Sequence, residues 1–260
     1  MNHPKTLSNP PVAKGARINN GGRIERRLEI LMIKAAFLST AAAAAMALAA
    51  TPAMAGSSDG QIQVKVLATA VLPDGEITAV NRDLVGLPAG TDTAADDNYV
   101  PTIAVEYFLS PQVSVETICC LTQHDVAATS PAALAGAGLV SNANIIPATV
   151  TLKYHFGEAG GIQPYVGAGP TYFIFINEKP GATARALGAT RQQMNDHLGF
   201  ALQAGVDIPV NDTGMALTLD AKRYFLRTSA HWFNAAGTEV ISTRHRIDPW
   251  VISAGVAFRF

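Results

Sequence analysis

The chain has 260 residues, with 19 Lys and Arg against 20 Asp and Glu, and 48% of its residues are hydrophobic. Residues 1–55 hold seven basic and two acidic residues, which leaves 12 basic against 18 acidic and a formal charge of −6 on the rest. A surplus of that sign excludes nucleic acid as a partner, and the length suits one substantial domain.

Residues 35–55, AAFLSTAAAAAMALAATPAMA, carry no charge, follow Lys34 and end in Ala53-Met54-Ala55. Small-x-small is the pattern read by signal peptidase, so cleavage before Gly56 is expected. The run is about long enough to cross a bilayer at roughly 20 residues, but its alanine content and Pro52 favour cleavage. Met32-Ile33-Lys34 makes a second compact start, which would leave residues 1–31 as an extension. Arg26-Arg27 has the look of a twin-arginine pair, but Glu25 and Glu29 flank it. The expected division is therefore 1–55 as extension and signal peptide, and 56–260 as the folded domain. Cys119 and Cys120 are adjacent, so on a strand they point to opposite faces. They read as small apolar fillers rather than a bridge or a metal pair.

Beyond residue 60 no helical periodicity is sustained, and period-two alternation recurs in segments of about ten residues. Eight are predicted: Gln61 to Leu72, Tyr99 to Leu109, Val113 to Leu121, Ala148 to Phe156, Pro164 to Ile176, His197 to Ile208, Met215 to Leu226 and Trp250 to Phe260. The connections alternate between short, with turn chemistry (SPQ, GEAGGIQ, PVNDTG), and long (73–98, 122–147, 177–196, 227–249). Short turns on one side and long loops on the other predict an all-β protein, an eight-stranded antiparallel transmembrane β-barrel whose short turns are periplasmic and whose long loops are extracellular. An even strand number puts both termini on the periplasmic side. Closure is required because an open sheet edge in hydrocarbon would cost several kcal/mol per unpaired backbone group. One parity of each segment is apolar and is assigned to lipid: Ile62, Val64 and Val66; Ile103, Val105 and Tyr107; Val150, Leu152, Tyr154 and Phe156; Phe200, Leu202, Ala204 and Val206; Leu217, Leu219 and Ala221. Tyr107, Tyr154, Phe156 and Trp250 suit interfacial girdles.

The segments PATVTLKYHF (147–156), QPYVGAGPTYFIF (163–175), LGFALQAGVDIPV (198–210), LTLDAKRY (217–224) and the ending DPWVISAGVAFRF (248–260), with HDV at His124, resemble the outer membrane protein W family in order and spacing. That resemblance implies an eight-stranded outer-membrane barrel, localised to the outer membrane of a Gram-negative cell, and a conduit for small hydrophobic molecules. It also implies that Phe260 is the terminal aromatic read by the barrel-assembly machinery, although lipid contact alone would account for it equally. Pro170, where the family usually has a hydrophobic residue, predicts a bulge.

The other parity faces the lumen. Toward the short-turn end it collects Lys65, Glu106, Glu116, Lys153, His155, Asp207 and Arg259, with Asp220 and Lys222 further up the seventh segment. Four acids balance four bases when His155 is set aside, and buried charges persist only when paired. A plug is expected, with plain barrel packing as the alternative. Further up, Val71, Ile118, Cys120, Phe173, Phe175 and Val251 share inward parity, with Leu67 at the boundary. An apolar funnel above a charged floor suits capture of a hydrophobic solute and its lateral release into the membrane; a short solid core is the alternative. Gly167, Gly169, Gly199 and Gly205 are expected to leave space in the wall.

Small outer-membrane barrels include enzymes, but none of His124, His197, His231 and His245 shares a predicted strand face with a serine two residues away, Ser229 and His231 lying in a segment predicted as loop. Ser114 and His155 approach each other only near the floor, so no enzyme is expected. No histidine spacing matches a metal site, and no cofactor is called for. The expected partners are outer-membrane lipid, the assembly machinery and small hydrophobic solutes; oligomeric state is left open. The competing reading is a structural, adhesive or receptor barrel acting through its loops.

Overall fold

The computed structural model describes residues 61–157 and 161–260, so the signal-peptide expectation lies outside the described residues. In chain order the first strands are β1 (Ile62–Leu72), β2 (Glu76–Asp83), β3 (Asp92–Ala95), β4 (Asn98–Phe108), β5 (Val113–Cys119), β6 (Thr122–Ser130), β7 (Gly138–His155) and β8 (Gln163–Ile176). There follow β9 (Lys179–Pro180), a one-turn helix α1 (Ala182–Ala186), β10 (Arg191–Met194), β11 (His197–Pro209), β12 (Met215–Phe225), β13 (Arg227–Phe233), β14 (Glu239–Arg246) and β15 (Trp250–Arg259).

Eight of these close a ring in which every neighbour is antiparallel: β1–β4–β5–β7–β8–β11–β12–β15 and back to β1. Burial alternates residue by residue along each of them, as it must when one face meets the lumen and the other the surroundings. The short turns are built from local side-chain bonds. Ser110 Oγ accepts the Val113 N–H. Between β11 and β12, Asn211 Oδ1 accepts from the backbone of Thr213 and Met215, and Gly214 takes φ +80°, which an L side chain rarely adopts.

The four long connections are not unstructured. They carry seven strands and the helix, and form a crown above the barrel on the side opposite the short turns. β10–β13–β14–β2 make one four-stranded sheet. β3, β6 and β9 add to an extension of β7, which has 18 residues where nine to eleven cross a bilayer. The sequence reading began that segment at Ala148, ten residues late. Alternation is broken there by register shifts between β6 and β7 at His124/Val126 and Val126/Ala127, and by Asn142 at φ +55°. Pro170 makes no bulge, contrary to expectation. The β7–β8 register is the same on both sides of it, Thr149 facing Thr171 and Leu152 facing Ala168, and only the pairing of Val150 and Thr151 lapses. A missing N–H removes a bond without adding a residue.

The outer wall is apolar. Ile103, Val105, Leu152, Leu202, Leu217, Leu219 and Ile252 are exposed side by side. A belt of this extent far exceeds the apolar patches of soluble monomers, and lipid is the solvent that suits it. Tyr107, Tyr154 and Phe156 mark its rim toward the short turns, and Phe225 and Trp250 the rim toward the crown. Phe260 closes the seam: its N–H donates to the Ile62 carbonyl at 2.7 Å and its carbonyl accepts the Ile62 N–H at 3.1 Å, while its half-exposed ring extends the belt. Deleting Phe260 is expected to lower the heat-modifiable, assembled fraction with synthesis unchanged. Two seam bonds, worth about 1 kcal/mol each, and the terminal aromatic are lost together. Undiminished assembly would rule out such a role.

Candidate functional site

The short-turn half of the lumen is a floor of buried charge. Glu106 on β4 lies 3.0 Å from Lys65 Nζ, 2.8 Å from Lys153 Nζ and 2.7 Å from His155 Nε2. Glu116 on β5 reaches Lys153 at 2.9 Å, Lys65 at 3.4 Å and Lys222 at 3.0 Å. Lys222 pairs with Asp220 at 2.7 Å, and Lys65 with Asp207 at 3.3 Å. All of these side chains are at most 5% exposed. Asp220 and Lys222, which parity placed further up, thus join the same network through Glu116. Arg259 lies with its guanidinium 3.6 Å from the Phe108 ring centroid.

Uncharged residues that sequence reasoning passed over complete the floor. Gln203 donates to Glu116 and Asp220 and accepts from Thr151. Gln63 donates to Asp207. The Tyr165 hydroxyl donates to Asp220 at 2.8 Å while its ring carries Lys153 Nζ 3.7 Å from the centroid. Their inward parity was readable in the sequence, but without charge they gave no sign of belonging to an ion-pair network. The four glycines do not open the wall. A Cβ on Gly205 would meet the Tyr165 hydroxyl at 2.4 Å, and one on Gly169 the Val150 carbonyl at 1.9 Å. Their missing side chains are filled by neighbours.

Ser114, His155 and Glu106 do meet. Ser114 Oγ donates to Glu106 at 2.5 Å, and His155 Nε2 lies 2.9 Å from Ser114 and 2.7 Å from Glu106. One ring nitrogen faces both neighbours, and Nδ1 has no partner among the described residues. In a nucleophile relay the carboxylate holds the nitrogen remote from the hydroxyl. This is an ion-pair cluster with a serine in it.

Above the floor the lining turns apolar. Leu67 and Ile118 pack with Ala104 as one small cluster. Val71, Phe173, Phe175 and Val251 belong to a larger one that continues into the crown through Ile145, Tyr224, Leu226, Trp232 and Ile241. Cys120 is buried and lines a cavity with Val71, Phe173, Tyr224 and Val251. A second apolar cavity lies within the crown, between Val126, Leu139, Leu187, Trp232 and Ile241. The crown members were invisible to parity because the long connections were read as loops.

Two buried histidines pin the two ends of the β1–β4 connection, at Gly75 and Asp96, to this core. His124 Nδ1 lies 2.6 Å from the Asp96 carbonyl, and its Nε2 lies 2.8 Å from Thr122 Oγ. His245 Nδ1 lies 3.2 Å from the Gly75 carbonyl, and its Nε2 lies 2.6 Å from Thr243 Oγ. Burial holds both below the ordinary value of 6.5, against the opposing pull of Asp96, Asp97 and Asp125 on His124 and of Asp92 on His245. An opened crown therefore binds protons that the closed one refuses, once pH falls below about 6.5. Their stabilisation is present above that pH and is lost on acidification. Hydrogen exchange in residues 74–96, corrected for its intrinsic pH dependence, is expected to show more opening at pH 5 than at pH 7.5. The difference should shrink in His124→Gln/His245→Gln; an unchanged difference in that variant would exclude the histidines as its source.

The model of the OmpW family matches residues 58–260. The outer-membrane protein y4mB of Sinorhizobium fredii is 33% identical over 235 residues, covering 87% of this chain and 93% of the relative. Outer membrane protein W of Vibrio cholerae is 26% identical, covering 82% and 94%. The fold is similar to that of OprG from Pseudomonas aeruginosa, with TM-score 0.66 and 22% identity over 80% of this chain and 99% of that one. It is also similar to that of outer membrane protein AlkL, with TM-score 0.61 and 21% identity over 80% and 93%. The chain belongs to the OmpW family and is an outer-membrane β-barrel.

Proposed function

We propose that the protein is a passive conduit for small hydrophobic molecules, with the crown facing the exterior, both ends of the barrel domain on the periplasmic side, and no catalytic step. The observation that carries this reading is the stacking of an apolar lumen on a floor of fully paired charge in the same barrel. Lys65, Glu106, Glu116, Lys153, His155, Asp207, Asp220, Lys222 and Arg259 close the lower end to water and ions. Leu67, Val71, Ile118, Cys120, Phe173, Phe175 and Val251 line the solute's path, with Trp232 and Leu139 of the crown cavity as first contacts. The column is packed, so a solute advances by displacing side chains.

A closed floor leaves the wall as the way out. The β7–β8 ladder is interrupted at Val150 and Thr151, opposite Pro170 and Gly169, and lateral release into the bilayer is assigned there. An apolar guest gains about 25 cal/mol per Å2 of surface on leaving water, so the path runs downhill from crown to lipid. Uptake of an apolar dye by cells lacking the protein, and by the same cells complemented with it, tests the reading. Dye uptake should rise on complementation while uptake of a small sugar stays level. A parallel rise in sugar uptake would point to an aqueous pore.

A further inference from the structure

From residue 61 onward the chain has twelve Lys and Arg, and four of them, Lys65, Lys153, Lys222 and Arg259, point into the lumen. Four of the remaining eight, Arg223, Arg227, Arg244 and Arg246, gather on one outward patch where β12 and β15 pass into β13 and β14. In the β13–β14 pair Arg227 stands directly opposite Arg246, and Arg244 opposite Ser229. The inward neighbours on the same strands, Thr228, Ala230, Thr243 and His245, are buried, so this face looks outward. Like charges placed opposite each other on a strand pair are destabilising. Arg246 is offset by Glu76, with Asp248 at 4.0 Å, and Arg223 by Asp74 at 3.5 Å. Arg227 and Arg244 are exposed and have no ion-pair partner among the described residues.

Height decides what this patch meets. Phe225 and Trp250 mark the upper rim of the lipid belt, and the Arg223 guanidinium lies 5.4 Å from the Trp250 ring centroid. Arg227 follows Phe225 by two residues on the same face, about 7 Å along the strand at roughly 3.3 Å per residue. The headgroup layer of one leaflet is also about 5–8 Å deep. Arg227 therefore stands at the level of lipid phosphates, and Arg244, opposite Ser229, stands one residue pair higher, about 13 Å along the strand from Phe225, where an extended headgroup rises above the bilayer; a guanidinium binds a phosphate through two parallel N–H bonds.

We infer that Arg227 and Arg244, with Ser229 and Arg246 beside them, form a docking site for the phosphorylated headgroup of an outer-leaflet glycolipid. The assignment of leaflet rests on the orientation proposed above, but the binding chemistry does not. The full chain, folded into phosphatidylcholine vesicles, is titrated with bisphosphorylated lipid A and with the same lipid stripped of its phosphates, and bound lipid is read by native mass spectrometry. Inorganic phosphate is the competing arm. Phosphorylated lipid A should bind at least tenfold more tightly than the stripped form, millimolar phosphate should not displace it, and Arg227→Gln/Arg244→Gln should bind the two lipids alike.

Equal binding of the two lipids by the native chain overturns the inference, as does undiminished preference in the double variant. Displacement by free phosphate overturns the lipid as its source. Should the double variant fail to fold, the native comparison and the single Arg244→Gln decide alone. Symmetric vesicles carry the lipid in both leaflets, so failure here is separate from failure of the proposed orientation, which protease shaving of intact cells reads.

Discussion

Replacing Glu106 with Ala should destabilise the barrel by about 3–5 kcal/mol, among the largest effects of any single substitution in the chain. Its carboxylate contacts Lys65, Lys153, His155 and Ser114 at once and has no access to solvent. Removing it strands part of the charge of two lysines that are themselves at most 1% exposed. Lys65 keeps Asp207 and Glu116, and Lys153 keeps Glu116, so the network should weaken without dissolving. The unfolding midpoint in urea, read by heat-modifiable migration, is the measurement. Lys153→Met paired with Glu106→Ala should cost less than the two single changes added together, because the second removes a charge the first left unpaired. Strict additivity would mean that the pair acts as packing rather than as an ion pair.

Phe173→Asp should reduce uptake of small hydrophobic compounds severalfold at equal folded abundance. Phe173 is buried on β8, lines the cavity above the floor and lies edge-on to Tyr224 at 5.4 Å between ring centroids. A carboxylate there has no cation within the apolar cluster, so it either draws water into the path or stays protonated at a cost; either way an apolar guest loses its surroundings. Ile174→Leu, on the opposite parity of the same strand, should be nearly silent. Salt and sugar permeability should not change, because the floor below is intact. Unchanged dye uptake at matched folded levels would remove Phe173 from the path.

What the sequence disclosed follows from where alternation holds. In the barrel each residue faces lumen or lipid with no third choice, so parity alone put Lys65, Glu116 and Lys222 inside and Leu152 and Leu217 outside, where the structure has them. Parity carries no information about which inward residues touch, so Asp220 was counted in the charge network and placed further up its strand, without the Lys222 and Glu116 contacts that tie it in. The crown escaped for a different reason. Its strands are short, its ladders shift register at Trp232/Phe233 and Ser242/Thr243, and β7 serves barrel and crown in one 18-residue run. In β14 Ile241, Ser242 and Thr243 are buried in succession where the ladder shifts, and along β13 the buried parity that holds Leu226 and Trp232 runs through Thr228 and Ala230, so neither strand showed an apolar stripe although these residues form the upper core. Pro170 was misjudged because a missing donor was equated with an extra residue, which the β7–β8 register does not contain.

The most direct test of the account uses the purified full chain in sealed lipid vesicles, with one apolar solute and one small sugar followed in the same preparation. Faster equilibration of the apolar solute with the membrane and interior, at a sugar flux equal to that of protein-free vesicles, is the predicted result. Sugar flux that rises with protein content as steeply as the apolar flux would contradict a closed floor beneath an apolar path. The lumen would then be a water-filled pore, and the ion pairs of Glu106 and Glu116 would line it rather than seal it.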